Sequence, residues 1–273
     1  MAHSIHMVLF QALTWEARDV EGEHQISIFG KTENGKSVCV TTTFDPYFFV
    51  KLPKGTTQQD VKRLYDDINR LRKDHVTGYS LTTQKDVWGF QNNEEFHFMH
   101  LNFKSLEHRR KVNSIFMYNR EFQKYHVYES NIDPVLRLMH RTGIQSTGWL
   151  DSGDSCVRCH LSKTDIDLWC NEWSTLKPVE RDDMAPFVVA SFDIECNSST
   201  GKFPDPNVKD DACFQIAISL CTFGNDEPYD KTCLCYKKTD SKLEGSNIIS
   251  FDTERELLEA FQKYIHEKDV DIM

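Results

Sequence analysis

The sequence predicts a mixed fold, α+β to α/β in class, built in two parts. Three observations predict it. Apolar and polar residues alternate over the first fifty or so positions. Amphipathic helical stripes recur at 57–73, at 105–116 and at 253–267. Residues 187–273 read as three strands, a helix and the start of a fourth strand. The chain has 273 residues with 18 Phe and 5 Trp, enough for sizeable cores in two domains.

In the first part, Ile26 and Ile28 alternate with polar residues before Glu33-Asn34-Gly35-Lys36, and Val38, Val40, Thr42 and Phe44 alternate after it. Asn-Gly between two such runs predicts a hairpin with a tight primed turn, since that turn needs positive φ at both central positions. Tyr47 to Leu52 is a further strand, stopped by Pro53 and Gly55. Val61, Leu64, Tyr65, Ile68 and Leu71 fall on one helical face, with Thr57 as N-cap and Asp60 three residues on. Arg63, Arg70, Arg72 and Lys73 lie mainly off that stripe and read as a solvated face. Strand-like runs follow at Val87–Phe90 and Phe96–Phe103. Ser105–Phe116 reads as a second helix with His108-Arg109-Arg110-Lys111 outward. Asp133-Pro134 opens a third, with Val135, Leu138 and Met139 inward and Gly143 as its stop.

The stretch Leu176–Pro186, with two prolines and a charge cluster, is the expected boundary between domains at 1–180 and 181–273. Beyond it, Phe187–Cys196, Phe214–Phe223 and Thr232–Tyr236 read as strands. Thr253-Glu254-Arg255-Glu256 is a capping box ahead of the stripe Leu257, Leu258, Phe261, Tyr264 and Ile265, and Val270–Met273 begins a strand. Three antiparallel strands and a crossover helix place the fourth strand parallel to the first. That is the opening order of a ribonuclease-H-like fold.

Composition excludes several classes. No stretch approaches the roughly 18 uninterrupted apolar residues of a membrane helix, so no membrane partner is expected. Met1–Val8 carries histidines and no secretory pattern, and nine Cys then read as reduced thiols of an intracellular protein. Net charge is −10, and residues 181–273 alone hold 10 basic and 19 acidic side chains. A basic nucleic-acid footprint is absent, whereas the acidic last third suits a solvated surface or a carboxylate metal site.

The sharpest chemistry is Asp193 and Glu195, in Val188-Val189-Ala190-Ser191-Phe192-Asp193-Ile194-Glu195. Period two sets both carboxylates on one strand face, roughly 7 Å apart, with Phe192 and Ile194 on the other. On a central strand they would repel and be costly to bury. A divalent cation removes that cost, and hard oxygen ligands on a rigid strand suit Mg²⁺ or Mn²⁺. Two such metals can activate a water and stabilise the leaving oxygen of a phosphodiester. A lone Asp-x-Glu is commonly two solvated acids on an edge strand. The apolar run before it and the order of elements favour metal.

Ser191 to Pro206, SFDIECNSSTGKFPDP, resembles the first exonuclease motif of family B DNA polymerases. Tyr47-Phe48-Phe49-Val50, Trp88-Gly89-Phe90, Tyr128-Glu129-Ser130-Asn131-Ile132 and Gly148-Trp149 resemble landmarks of that family's N-terminal region, in the family's order. The version here is similar to polymerases of large double-stranded DNA viruses and to the eukaryotic delta type. The resemblance implies a β-rich N-terminal domain over 1–180 and a 3′–5′ proofreading exonuclease from 181, with Asp193 and Glu195 as catalytic metal ligands. Asp271-Ile272-Met273 resembles the start of the second exonuclease motif. The resemblance thus implies the N-terminal part of a larger DNA-directed DNA polymerase, its exonuclease incomplete and its polymerase site elsewhere. Primer–template DNA, deoxynucleotides and a sliding clamp are the implied partners, and the nucleus or a viral replication site the implied location. The alternatives are a non-catalytic nucleic-acid-binding module of ribonuclease-H-like fold and a stand-alone metal-dependent nuclease.

Cys156-Val157-Arg158-Cys159-His160 with Cys170 falls short of the four well-spaced ligands of a zinc knuckle, and reads as plain thiols. Cys233-x-Cys235 reads likewise, its thiols set on alternate faces of a strand. Phe122, Tyr125 and Tyr128 could stack on single-stranded template, but read as core.

Overall fold

The computed structural model describes residues 7–239 and 244–273; positions 1–6, within the stretch read above for a leader, lie outside the described residues. The chain divides into two compact units, residues 1–30 with 36–181 and residues 31–35 with 182–273. Among the described residues, no helix is long and apolar enough to cross a membrane.

The first unit opens with three strands, β1 (Leu9–Val20), β2 (Glu23–Lys31) and β3 (Ser37–Thr43). The tight primed turn lies between β1 and β2, where Glu21 (φ 51°) and Gly22 (φ 85°) both take positive φ. At the Asn34-Gly35 turn only Gly35 is positive, at φ 78°, and its N–H donates to the Thr32 carbonyl at 3.0 Å. That connection is the wider of the two, because Thr32 to Lys36 stand outside the ladder.

After β4 (Tyr47–Lys51), helix α1 (Gln58–Leu71) forms with the expected capping box of Thr57 and Asp60, and buries Val61, Leu64 and Ile68. Strands β5 (Val76–Lys85) and β6 (Glu95–Phe103) follow, then helix α2 (Leu106–Tyr118), capped by Ser105. Val87–Phe90, expected as a strand, is the loop joining β5 to β6. Val87, Trp88 and Phe90 are 79%, 72% and 92% exposed. A short apolar run specifies burial only when a partner surface exists, and the ladder ends at Lys85↔Glu95.

Arg109, expected on the outer side of α2, is buried, and its Nη1 donates to the Ile132 carbonyl at 2.8 Å. β7 (His126–Tyr128) leads to α3 (Pro134–Thr142), with Asp133 as N-cap and Gly143 closing it in the left-handed conformation. Then come β8 (Trp149–Asp151), β9 (Cys156–Arg158), β10 (Ile166–Cys170) and β11 (Lys177–Val179). β11 falls inside the proline-rich stretch read as a boundary and pairs antiparallel with β8.

These elements form two sheets. One has the order β11-β8-β1-β2-β3-β10-β9, the other β5-β6-β4-β7. The first encloses a core around Phe10, Ile26, Ile28, Val40, Leu138 and Leu150. The second packs α1 and α2 around Phe48, Ile68, Leu101 and Phe103. Phe122 is buried in this second core and Tyr125 packs against it, so these aromatics are core residues.

The second unit holds β12 (Val188–Asn197), β13 (Ala212–Thr222), β14 (Asp230–Tyr236), β15 (Asn247–Phe251) and α4 (Glu254–Glu267). β12, β13 and β14 are antiparallel neighbours. β15, absent from the sequence reading, pairs parallel with β14 before the helix begins. α4 has the expected capping box and lays Leu257, Phe261, Tyr264 and Ile265 against Ile216, Ile218 and Leu234. Leu258, expected in the same stripe, is 46% exposed. The chain then returns beside β12. Val189 bridges Ile272 in parallel, and Ala190 N–H donates to the Ile272 carbonyl at 2.8 Å. The parallel return expected from the order of elements is thus present.

Candidate metal centre

β12 sets the geometry. Its register on β13 pairs Ala190 with Leu220, Phe192 with Ile218, Asp193 with Ala217 and Glu195 with Gln215. Alternation gives the α4-side face Ala190, Phe192 and Ile194, and gives the other face Ser191, Asp193 and Glu195. The predicted sharing of one face by the two acids follows. Phe192 lies against Phe261 of α4, with ring centroids 5.3 Å apart, yet remains 39% exposed, and Ile194 is 46% exposed.

The surroundings differ from expectation in one respect. Among the described residues, β12 has β13 on one side and only the Val189–Ile272 bridge on the other. At Asp193 and Glu195 it is an edge, and both acids are exposed. The burial cost that was expected to call for a cation therefore does not arise. Water screens two exposed carboxylates well enough for them to coexist.

Neither acid is held by a lysine or arginine among the described residues, and Asp193 Oδ1 accepts the N–H of Ile194 at 3.0 Å. Asp193 borders a cleft of about 490 Å³ with Ser191, Ala217, Ser219, Lys231 and Cys233. Glu195 borders a separate cleft of about 510 Å³, beside Phe203, Asp205, Asp211 and Glu254.

The other carboxylates of that second cleft are already employed. Asp211 accepts from Ser199 Oγ (2.7 Å), Ser199 N–H (2.6 Å) and Asp205 N–H (3.0 Å). The Ser199 hydroxyl, then those backbone donors, hold its carboxyl below the usual range. Glu254 accepts the Cys213 N–H at 2.7 Å, tying α4 to β13. Asp205 Oδ1 accepts from Asn207. The sequence reading assigned Asp211 no role and saw Glu254 only as part of a cap. Asp211 stands just ahead of β13 and Glu254 opens α4, but the donors they accept from, Ser199, Asp205 and Cys213, are distant along the chain, so no local signal marks these roles.

Among the described residues, no three His, Cys, Asp or Glu side chains converge in a way that could hold a metal ion. Asp193 and Glu195 fit a hard divalent cation by donor type and shared face, and by themselves would supply only part of a ligand shell. Asp271, expected to begin a second motif, uses its carboxylate on Val188 N–H at 2.7 Å.

The thiols resolve simply. Cys156 and Cys170 face each other across β9 and β10 and are buried. A hydrogen bond to Cys170, then burial, pushes the Cys156 thiol above its ordinary range. Cys159 Sγ donates to Asp167 at 3.3 Å. Cys233 and Cys235 share one face, with sulfurs 3.6 Å apart. The expectation of alternate faces fails because residues two apart on a strand point the same way.

Three antiparallel strands with a fourth added in parallel, a helix laid on one face and a parallel return beside the first strand give the ribonuclease-H-like class of domain expected from the order of elements. Comparison with known proteins fits this class. The family model of the DNA polymerase family B exonuclease domain matches residues 125–273. The chain belongs to DNA polymerase family B. It is 30% identical over 265 residues to a DNA polymerase of Paramecium bursaria Chlorella virus NY2A, covering 94% of this chain and 28% of that protein. It is 28% identical over 284 residues to the DNA polymerase delta catalytic subunit of Schizosaccharomyces pombe, covering 97% of this chain and 26% of that subunit. Its fold is similar to the solved family B DNA polymerase from the archaeon Pyrobaculum calidifontis. There the TM-score is 0.69 at 18% identity, covering 97% of this chain and 30% of that one. The chain thus spans little more than a quarter of these relatives' length. Exonuclease domains of this family are divalent-metal dependent.

Proposed function

We propose that this chain is the N-terminal and exonuclease portion of a DNA-directed DNA polymerase, and that Asp193 and Glu195 hold Mg²⁺ or Mn²⁺ for 3′–5′ hydrolysis of mismatched primer ends. The observation that carries the reading is the pair of acids on one face of β12, unclaimed by any lysine or arginine among the described residues, in a chain that belongs to this polymerase family. A bound divalent ion would supply Lewis acidity and a water acidified enough to attack phosphorus. The protein's own part is positional. The β12–β13 ladder fixes the spacing of the two carboxylates, and their shared face leaves oxygen lone pairs open toward a phosphodiester. Primer–template DNA and deoxynucleotides are the proposed substrates, a sliding clamp the proposed partner, and the nucleus or a viral replication site the proposed location.

The test is Asp193→Ala with Glu195→Ala in the polymerase that carries this segment. Exonuclease activity should be lost and nucleotide addition spared, because the two chemistries use different sites. Loss of both activities in a protein still folded by circular dichroism would overturn the assignment. A second reading, a nucleic-acid-binding module without catalysis, draws on the presence of only two converging donors. Absence of exonuclease activity from the unsubstituted polymerase, with weakened binding of primer–template in the double variant, would favour it.

A further inference from the structure

Nine free thiols lie in this chain, and three pairs of them are close. They differ in ways that matter chemically. Cys156 and Cys170 are an in-register pair, but both are buried, so no oxidant reaches them in the folded state. Cys233 and Cys235 sit on one strand two residues apart. Bridging them would force the extended backbone of β14 out of its ladder, since a disulfide needs a narrow range of Cα separation and Cβ direction. Cys196 and Cys213 differ from both.

Cys196 is exposed and Cys213 is 7% exposed. They are Cα partners across β12 and β13, at the bulge where Phe214 is the extra residue. Cys213 N–H is spent on Glu254, so the two residues do not exchange a pair of ladder bonds. Directly opposed antiparallel partners stand about 4.5–5.5 Å apart at Cα, within the disulfide range of about 4.4–6.8 Å. Both thiols border the same 510 Å³ cleft.

We infer that Cys196 and Cys213 form an oxidisable dithiol that closes to a cross-strand disulfide on exposure to a small-molecule disulfide. The steps balance. Cys196, as thiolate, attacks one sulfur of oxidised glutathione; the S–S bond breaks and one glutathione leaves and takes up a proton. Cys213 then gives its proton to solvent and displaces the second glutathione from Cys196. The two protein thiols lose two electrons and two protons, and glutathione disulfide becomes two glutathione thiols.

The ring so formed encloses residues 197–212. That loop is already gathered by Asp211 onto Ser199 and Asp205, and its neck by Asn197, which accepts from Ala212 N–H and donates to the Asp210 carbonyl at 2.9 Å each. Oxidation would replace a neck held by side-chain hydrogen bonds with a covalent one, a single residue away from Glu195. The inference goes beyond the nuclease reading and does not rest on it.

The experiment incubates the folded chain with oxidised glutathione, blocks remaining thiols with an alkylating agent, and maps peptides by mass spectrometry. The expected result is a Cys196–Cys213 cross-link that excess reduced glutathione reverses, with Cys156 and Cys170 alkylated only after denaturation. Cys213→Ala should leave Cys196 carrying glutathione as a stable mixed disulfide, and Cys196→Ala should leave Cys213 unmodified. A lasting glutathione on Cys196 of the unsubstituted chain with Cys213 free would overturn the inference. So would an unreacted Cys196, or its cross-link to any other cysteine. Should either variant fail to fold, the map of the unsubstituted chain decides alone.

Discussion

Asp86 has a side chain only 3% exposed, ion-paired with Lys51 of β4 and accepting from Tyr128 Oη at 3.0 Å and Trp88 N–H at 3.1 Å. The Lys51 hydrogen bond, ahead of the opposing effect of desolvation, lowers its carboxyl to about 2, and Tyr128 is pushed up to about 12, chiefly by burial and then by Asp86. The folded value lies below the unfolded one, so the stabilisation is fully present above about pH 4 and is lost as pH falls through 2. Asp86→Ala should cost about 2 kcal/mol at neutral pH, because it strands Lys51 and the Tyr128 hydroxyl. It should also flatten the acid limb of a denaturation curve between pH 4 and 2; an unchanged limb would refute the assignment. Gly30 makes a second case. A Cβ there would meet the Gln11 carbonyl oxygen at 2.0 Å and Phe10 Cδ2 at 2.8 Å. The obstacle is backbone, so Gly30→Ala should destabilise by about 2 kcal/mol or more, read from a urea midpoint. A midpoint within a few tenths of a molar of the parent would show that β1 and β2 can part there. Neither contact is legible in sequence, since Lys51 and Asp86, or Gln11 and Gly30, become neighbours only through strand pairing.

The helices were legible because their signals are local. Thr57 with Asp60, Asp133-Pro134 with Gly143, and Thr253 with Glu256 each sit within one turn of the end they fix. α4 separates cap from packing. Thr253→Ala removes an exposed cap and should cost about 1 kcal/mol. Leu257→Ala empties a site with no solvent exposure and should cost about 3 kcal/mol. Chemical denaturation of the two variants should rank them in that order, and the reverse ranking would mean that α4 is held by its end and not by its face. The strands were less legible. β15 is short, its exposed and half-buried residues follow no clean alternation, and its only partner among the described residues is parallel. Val87–Phe90 misleads in the opposite way, being strand-like in composition with nothing among the described residues to cover it. Arg109 looks like a surface cation until the Ile132 carbonyl, 23 residues on, is seen to take its guanidinium.

At the scale of the whole chain the candidate site was half legible, for a reason of geometry. Asp193 and Glu195 are two residues apart, so period two alone sets them on one face. Their exposure was not legible, because it depends on what flanks β12, and the roles of Asp211 and Glu254 emerge only when loop and helix close on β13. The charge distribution, by contrast, is wholly a sequence property and supports a prediction about the chain by itself. Residues 181–273 carry nearly twice as many acidic as basic side chains, and the net charge of the chain is −10. Binding to a duplex draws much of its free energy from counterions released as lysines and arginines neutralise phosphates. Several basic groups are already committed within the fold, among them Lys51 to Asp86, Lys54 to Glu94 and Arg137 to Glu129. The chain alone should therefore bind primer–template weaker than about 10⁻⁷ M at physiological salt, with a shallow dependence on salt because few phosphates are contacted. Fluorescence anisotropy with a labelled primer–template, read across a salt series, measures both quantities. A dissociation constant of 10⁻⁷ M or tighter, or a slope equivalent to about six or more released counterions, would mean that a basic surface has been assembled from residues scattered through the sequence, and that the acidity of the last third says nothing about how the chain meets DNA.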